Sequence, residues 1–158
     1  MTIANTVSQY LTDNSVRYRV IPHEHSATSR ETARKASVRE DRVAKAILLK
    51  DDRGMVMAII PASNSLDMRA VHEETGRNHL EMMEESEFAN VFGDCEVGAL
   101  PPLGPAYGIT TLVDSNLDDR STLYLESGDH ESVVAIDGRD FDRLMSGSRH
   151  CNLSRDWV

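Results

Sequence analysis

Lys45 stands between Val43-Ala44 and the apolar run Ala46-Ile47-Leu48-Leu49. A lysine at the start of a buried strand must send its ammonium to water or to an anion, because an unpaired buried charge is costly. Two uses are open. The side chain can snorkel at the strand end, or it can hold an anionic or carbonyl group. The second chemical feature is GDCEVGALPPLGPAYG, residues 93–108, which holds four of the chain's nine Gly and three of its five Pro. Proline fixes φ and lacks an N–H, whereas glycine permits positive φ and close backbone approach. Gly98-Ala99-Leu100-Pro101-Pro102 therefore reads as a stiff loop with a few exposed amides. Such a loop is either a rigid connector or a wall that binds carbonyls, carboxylates or phosphates.

Other candidates are weaker. His23-Glu24-His25 offers two imidazoles but no third ligand in register, so a polar loop is expected there rather than a metal site. His72 and His79 flank Gly76 and read as surface residues. Asp114 reads as the end of a strand, with Asp118 and Asp119 in a turn. There is no G-x-S-x-G elbow, no P-loop and no H-E-x-x-H. Neither a metal nor a cofactor is expected. Cys95 and Cys151 form no C-x-x-C pair and read as free, inert thiols.

The 158 residues suit one domain and can bury a sizeable core. The net charge of −9 argues against non-specific nucleic-acid binding. Its distribution is uneven. From Arg30 to Arg53, eight cations face five anions, which leaves the rest of the chain at −12. Arg30, Arg34, Lys35, Arg39 and Arg42 form either a solvated face or a landing patch for a phosphate backbone. No apolar run approaches the roughly 18–20 residues that span a bilayer, and the N-terminus lacks a secretory pattern. A cytoplasmic protein without a membrane partner is expected.

The elements that must position these residues follow from periodicity. Ile3, Val7, Tyr10 and Leu11 predict an amphipathic helix over 3–14. YRVIP (18–22) predicts a strand. Ser29 is the expected cap of a basic helix over 30–37, followed by a helical turn in VREDRVAK. AILLK (46–50), DDRG and MVMAIIP (55–61) give the clearest hairpin, with both strands expected to be central and buried on both faces. Residues 64–75 predict a helix capped by Asn64 and stopped at Gly76. A short helix is expected over 83–93, strands at 108–114, 122–127 and 131–137, and a last helix after Gly138. The end, 146–158, is weakly patterned. Mixed order with a tight hairpin excludes a simple doubly wound sheet. An α/β domain of α+β type is expected, with a mixed, mostly antiparallel sheet and peripheral helices.

VAKAILLK (43–50), MAIIPASNSLDMRAV (57–71), FGDCEVGALPPLG (92–104), ITTLVDSNL (109–117) and YLESGDHESVVAI (124–136) occur in this order and at these spacings. Together they resemble the YbaK/EbsC family, the aminoacyl-tRNA editing domain found inserted in or appended to bacterial prolyl-tRNA synthetases. The resemblance covers roughly residues 15–145. It implies a barrel-like mixed sheet and a free-standing deacylase. Such a protein would cut the ester between a small wrong amino acid and the 3′ end of a tRNA, often tRNA(Pro), with a prolyl-tRNA synthetase as a partner. The family's lysine matches Lys45, and its G-x-x-x-P loop matches Gly98 to Pro102. On that resemblance Lys45, Gly98 and His130 are the catalytic candidates, and Ala99, Leu100, Pro101 and Pro102 the substrate contacts. The basic residues 30–42 become candidate tRNA contacts. Alanine-clearing members carry Asn after the lysine, where this chain has Ala46. A module that binds aminoacyl-tRNA or a small ligand without hydrolysis is the competing class.

Overall fold

The computed structural model describes residues 3–84, 87, 91–96 and 99–156. The chain runs through α1 (Asn5–Asp13), β1 (Tyr18–Pro22), α2 (Ser29–Lys35), β2 (Val43–Asp51), β3 (Gly54–Pro61), β4 (Asn64–Leu66), α3 (Met68–Thr75) and β5 (Glu81–Met82). After the Gly/Pro stretch come β6 (Thr110–Asp114), β7 (Thr122–Glu126), β8 (Ser132–Asp137), α4 (Gly138–Leu144), β9 (Arg149–Cys151) and β10 (Ser154–Asp156). The main sheet has the order β1-β8-β7-β2-β3-β6-β9, with β5 also on β2. The β1–β8, β7–β8, β2–β3 and β2–β5 pairs are antiparallel. The β2–β7, β3–β6 and β6–β9 pairs are parallel. This is the expected mixed, mostly antiparallel sheet with helices. Its path ends in β1 and β9, which do not pair with each other.

Strand periodicity explains the layers. On β3, Met57 and Ile59 join the cluster of Val7 and Leu11 from α1, Leu123 and Leu125 from β7, and Phe141 from α4. Val56, Ala58 and Ile60 point the other way, toward Val71 of α3 and Leu153. Successive side chains alternate across a strand, so β3 is buried on both faces. The β2–β3 turn closes on the Asp51–Gly54 pair. Gly54 sits at φ +122°, a conformation that L side chains rarely adopt.

Four local expectations are corrected. β2 begins at Val43, because Val43 and Ala44 pair in parallel with Tyr124 and Leu125 of β7, so Lys45 lies inside the strand. Unlike β3, β2 is not buried throughout: Lys45, Ala46 and Ile47 are half-buried. Thr28, not Ser29, caps α2, its hydroxyl accepting the Glu31 N–H at 3.1 Å. Asp67, not Asn64, caps α3, because residues 64–66 pair with β10 as a strand. The unanticipated β9 and β10 are three-residue polar strands with no apolar period to reveal them. Five residues of the helix expected over 83–93 (85, 86, 88, 89 and 90) lie outside the described residues. Among the described residues no helix is long and apolar enough to cross a membrane.

Candidate functional site

A cleft of about 330 Å³ opens between β2, the start of α2, the chain after β5, the Gly/Pro stretch and the end of β7. Its lining includes Thr28, Lys45, Ile47, Met83, Leu100 and Glu126. Lys45 and the Gly/Pro loop, separated by some fifty residues, thus meet at one surface.

Alternation along β2 sets Lys45 on the face of Ile47 and Leu49, opposite Ala44, Ala46 and Leu48. Ala44 and Leu48 pack with the α1 cluster, and Leu49 packs with the α3 cluster. Its ammonium makes no hydrogen bond or ion pair among the described residues. Burial pushes its pKa below the ordinary lysine value, and the charge of Arg30 pushes it the same way. Among the described residues, no counter-charge touches this cation.

The Gly/Pro stretch is pinned at both ends. Glu96 N–H donates to Gly128 O at 2.6 Å, and Phe92 packs against Tyr107 with ring centroids 4.4 Å apart. Gly128 permits the first contact. It sits at φ +105°, and a Cβ there would meet Ala4 Cβ at 3.0 Å and Cys95 Sγ at 3.2 Å. Ala99, Pro101 and Pro102 are buried, and the Ala99 N–H is spent on Glu96 O at 3.1 Å. Leu100 alone of these four lines the cleft, and its N–H has no backbone partner among the described residues. Gly98 lies outside the described residues.

His130 is buried but does not line the cleft. It sits in the β7–β8 turn at φ +58°. His23 N–H donates to Glu131 O at 2.8 Å, and Ser26 N–H to His130 O at 3.1 Å. These bonds lay the His23-Glu24-His25 segment on the turn and set the His25 and His130 rings 5.4 Å apart. No group of three or more His, Cys, Asp or Glu suited to a metal ion occurs among the described residues. Glu126, which sequence reasoning missed, lines the cleft. It is 3% exposed, and its Oε1 accepts the Thr32 hydroxyl at 2.7 Å. Burial raises its pKa, opposed first by the Thr32 bond and then by the charge of His130. The available signal was a carboxylate closing an otherwise apolar strand, TLYLE, the same kind of anomaly that singled out Lys45.

The basic segment is largely engaged by its own neighbours. Arg30 pairs with Glu40 at 3.1 Å, Arg39 takes Asp41 with both Nε and Nη2, and Lys35 pairs with Glu31 at 3.0 Å. Arg42 donates to the Ser121 hydroxyl at 2.8 Å. Arg34 is exposed, its charge bearing on Glu31.

A mixed sheet flanked by helices, with a lysine-bearing cleft against the Gly/Pro loop, defines a small α/β domain with a candidate binding cleft. The sequence profile of the aminoacyl-tRNA editing domain matches residues 23–144, and the chain belongs to that family. Three solved structures share the fold. One is the hypothetical protein APE2540, at 21% identity and TM-score 0.82, covering 96% of this chain and 100% of that one. Another is a proposed signal transduction protein from Marinobacter aquaeolei VT8, at 24% and 0.78; the match covers 98% of this chain and 31% of that longer one. The third is a proposed trans-editing enzyme for prolyl tRNA synthetase, at 17% and 0.78, with 95% of each chain covered.

Proposed function

We propose that this protein is a free-standing aminoacyl-tRNA deacylase of the YbaK/EbsC kind, which hydrolyses the ester of a tRNA carrying a small wrong amino acid, with tRNA(Pro) as the expected carrier. Support comes from family membership and from one observation above all: the cleft that unites an uncompensated Lys45 with the Leu100 segment of the Gly/Pro loop.

An aminoacyl ester is already activated, so its hydrolysis needs positioning and charge stabilisation more than a protein nucleophile. Water attacks the ester carbonyl carbon, the bond to the ribose oxygen breaks, and that oxygen leaves with a proton as the tRNA hydroxyl. The Lys45 ammonium and the Leu100 N–H supply positive potential for the carbonyl oxygen or the neighbouring phosphate as negative charge develops. The substrate's own ribose hydroxyl can relay the proton. His130 assists from the β7–β8 turn, outside the cleft lining. A volume of about 330 Å³ admits a small amino acid beside the terminal ribose. Discrimination by size alone is worth about 1–3 kcal/mol per methylene. The acceptor end of the tRNA is the partner in this reading, a prolyl-tRNA synthetase is a source of substrate, and such work belongs in the cytoplasm.

Incubation with tRNAs charged with Ala, Cys, Ser, Thr and Pro tests the proposal. Enzyme-dependent ester loss on one or more is the expected result. Tight binding without ester loss would make the protein a binding module instead, and inertness toward all five would overturn the proposal.

A further inference from the structure

We propose that Glu126 receives the α-ammonium of the aminoacyl group, so that the cleft requires a free α-amine as well as a small side chain. The inference rests on the reading of the cleft as an aminoacyl-ester site. Glu126 lines the cleft at the end of β7 and is 3% exposed. One oxygen is held: Oε1 accepts from Thr32 Oγ1 at 2.7 Å, and Thr32 is itself fixed by Ser26 Oγ at 2.5 Å. The other oxygen, Oε2, is buried and makes no hydrogen bond to a described residue. Buried polar atoms in native proteins are nearly always satisfied, and a carboxylate oxygen left without a donor carries a desolvation cost.

Lys45 does not supply that donor, although both residues line the same cleft. One cleft thus presents a cation and an anion that leave each other alone. An aminoacyl ester offers complementary groups, a carbonyl oxygen next to phosphate-bearing ribose on one side and an ammonium two bonds from the carbonyl carbon on the other. Lys45 would repel the ammonium and attract the oxygen, whereas Glu126 would do the reverse. The spare oxygen is buried on a residue that lines the cleft. The last torsion of glutamate is broad, so the carboxylate can turn upward to meet the ligand. The Thr32 bond makes Glu126 a held group rather than a free one.

The test compares an aminoacyl-tRNA substrate with the ester of the matching α-hydroxy acid, in which a hydroxyl replaces the ammonium at nearly constant size. Each enzymatic rate is divided by the spontaneous rate in buffer, which removes the difference in intrinsic ester reactivity. The wild-type protein is expected to prefer the amine by about tenfold or more, as for an ionic hydrogen bond worth about 1.5–3 kcal/mol. In Glu126→Gln that preference is expected to collapse toward one. A purely structural role would slow both esters equally and keep the ratio, which would overturn the assignment. So would a wild-type protein indifferent to the amine. If no charged tRNA loses its ester, the deacylase reading fails by itself. The same pair is then compared by calorimetric binding of amide-linked, non-hydrolysable analogues. A wild-type preference for the amine that Glu126→Gln loses would still support the assignment, and equal or absent binding would overturn it.

Discussion

β2 carries a lysine near one end and an aspartate at the other, and the two ends treat charge in opposite ways. Asp51 closes the hairpin with its side chain 3% exposed. It is met on all sides: Arg77 grips it with Nε at 2.8 Å and with Nη2, and the Arg53 N–H donates at 2.8 Å. The Arg77 contact holds its carboxyl near a pKa of about 2. Arg77 spends a further bond on Gly54 O at 3.1 Å, so the pair also fixes the turn. Lys45, six residues earlier, has no such company, and both burial and Arg30 work against its charge. A charge that is fully paired holds a fold together, whereas one in a cleft without a partner among the described residues is the group proposed to meet a ligand. Asp114 supports the first half of that rule. It is fully buried but accepts from the Asn116 N–H at 2.8 Å, the Asn116 side chain at 2.9 Å and the Ser154 hydroxyl. Glu126, with one oxygen held and one spare, supports the second.

The largest expected effect separates the two ends directly. Lys45→Met should lower catalysed deacylation by about 10²–10³-fold, the usual loss when one preorganised donor is removed. Its thermal midpoint should not fall, because no partner among the described residues is orphaned. A rate equal to wild type would dissolve the contrast.

Arg77→Met is expected to do the reverse. It should lower the thermal midpoint while leaving the rate per folded molecule unchanged, since Asp51 loses its partner far from the cleft. The pH dependence has a defined sign. Asp51 titrates near 2 when folded against an ordinary 3.8, so its contribution to stability is present above about 4 and is lost as pH falls toward 2. Urea unfolding across that range should show wild type and variant converging in acid. A constant gap would mean that the pair is not the source of the difference.

A smaller effect tests the charge on Lys45. If its ammonium is the working form, catalysed deacylation declines as pH rises through a lysine pKa below the ordinary 10.5. Arg30→Ala removes a neighbouring like charge and should move that alkaline limb upward. A pH–rate profile corrected for spontaneous hydrolysis reads the shift, and an unmoved limb would detach Arg30 from the site. The smallest effect concerns the basic segment. Replacing Arg34, Lys35 and Arg39 together by Ala should lower the slope of log affinity against log salt by about one, not three. Lys35 and Arg39 are already paired with Glu31 and Asp41. A fall near three would restore the whole segment as a tRNA contact.

What was legible in the sequence follows the same physics. The β2–β3 hairpin stood out because two long apolar runs flank a polar turn ending in Gly54. Lys45 stood out because a charge interrupts such a run. Glu126 carried an equal signal at the end of TLYLE, but its depth depends on α2 packing over it through Thr32, a contact 94 residues away in sequence. The composition of the Gly/Pro stretch announced a rigid segment. Which of its side chains would face the cleft was decided by tertiary packing, which buries Ala99, Pro101 and Pro102 and leaves Leu100 at the lining. β4, β9 and β10 are three-residue polar strands that exist because partners lie beside them, as Asn64–Leu66 shows by pairing where a helix cap was expected.

A second, larger cleft of about 540 Å³, lined in part by Thr75, Arg77, Thr110 and Arg149, makes the central claim open to direct contradiction. Backbone amide shifts can be followed while the protein is titrated with a tRNA acceptor end carrying its amino acid through a non-hydrolysable amide. The account predicts that the amides of Ala46, Leu48 and Leu100 move, and that Lys45→Met weakens the binding. Shifts confined to Thr75, Arg77, Thr110 and Arg149 would place the substrate in that second cleft and contradict the assignment of the Lys45 cleft.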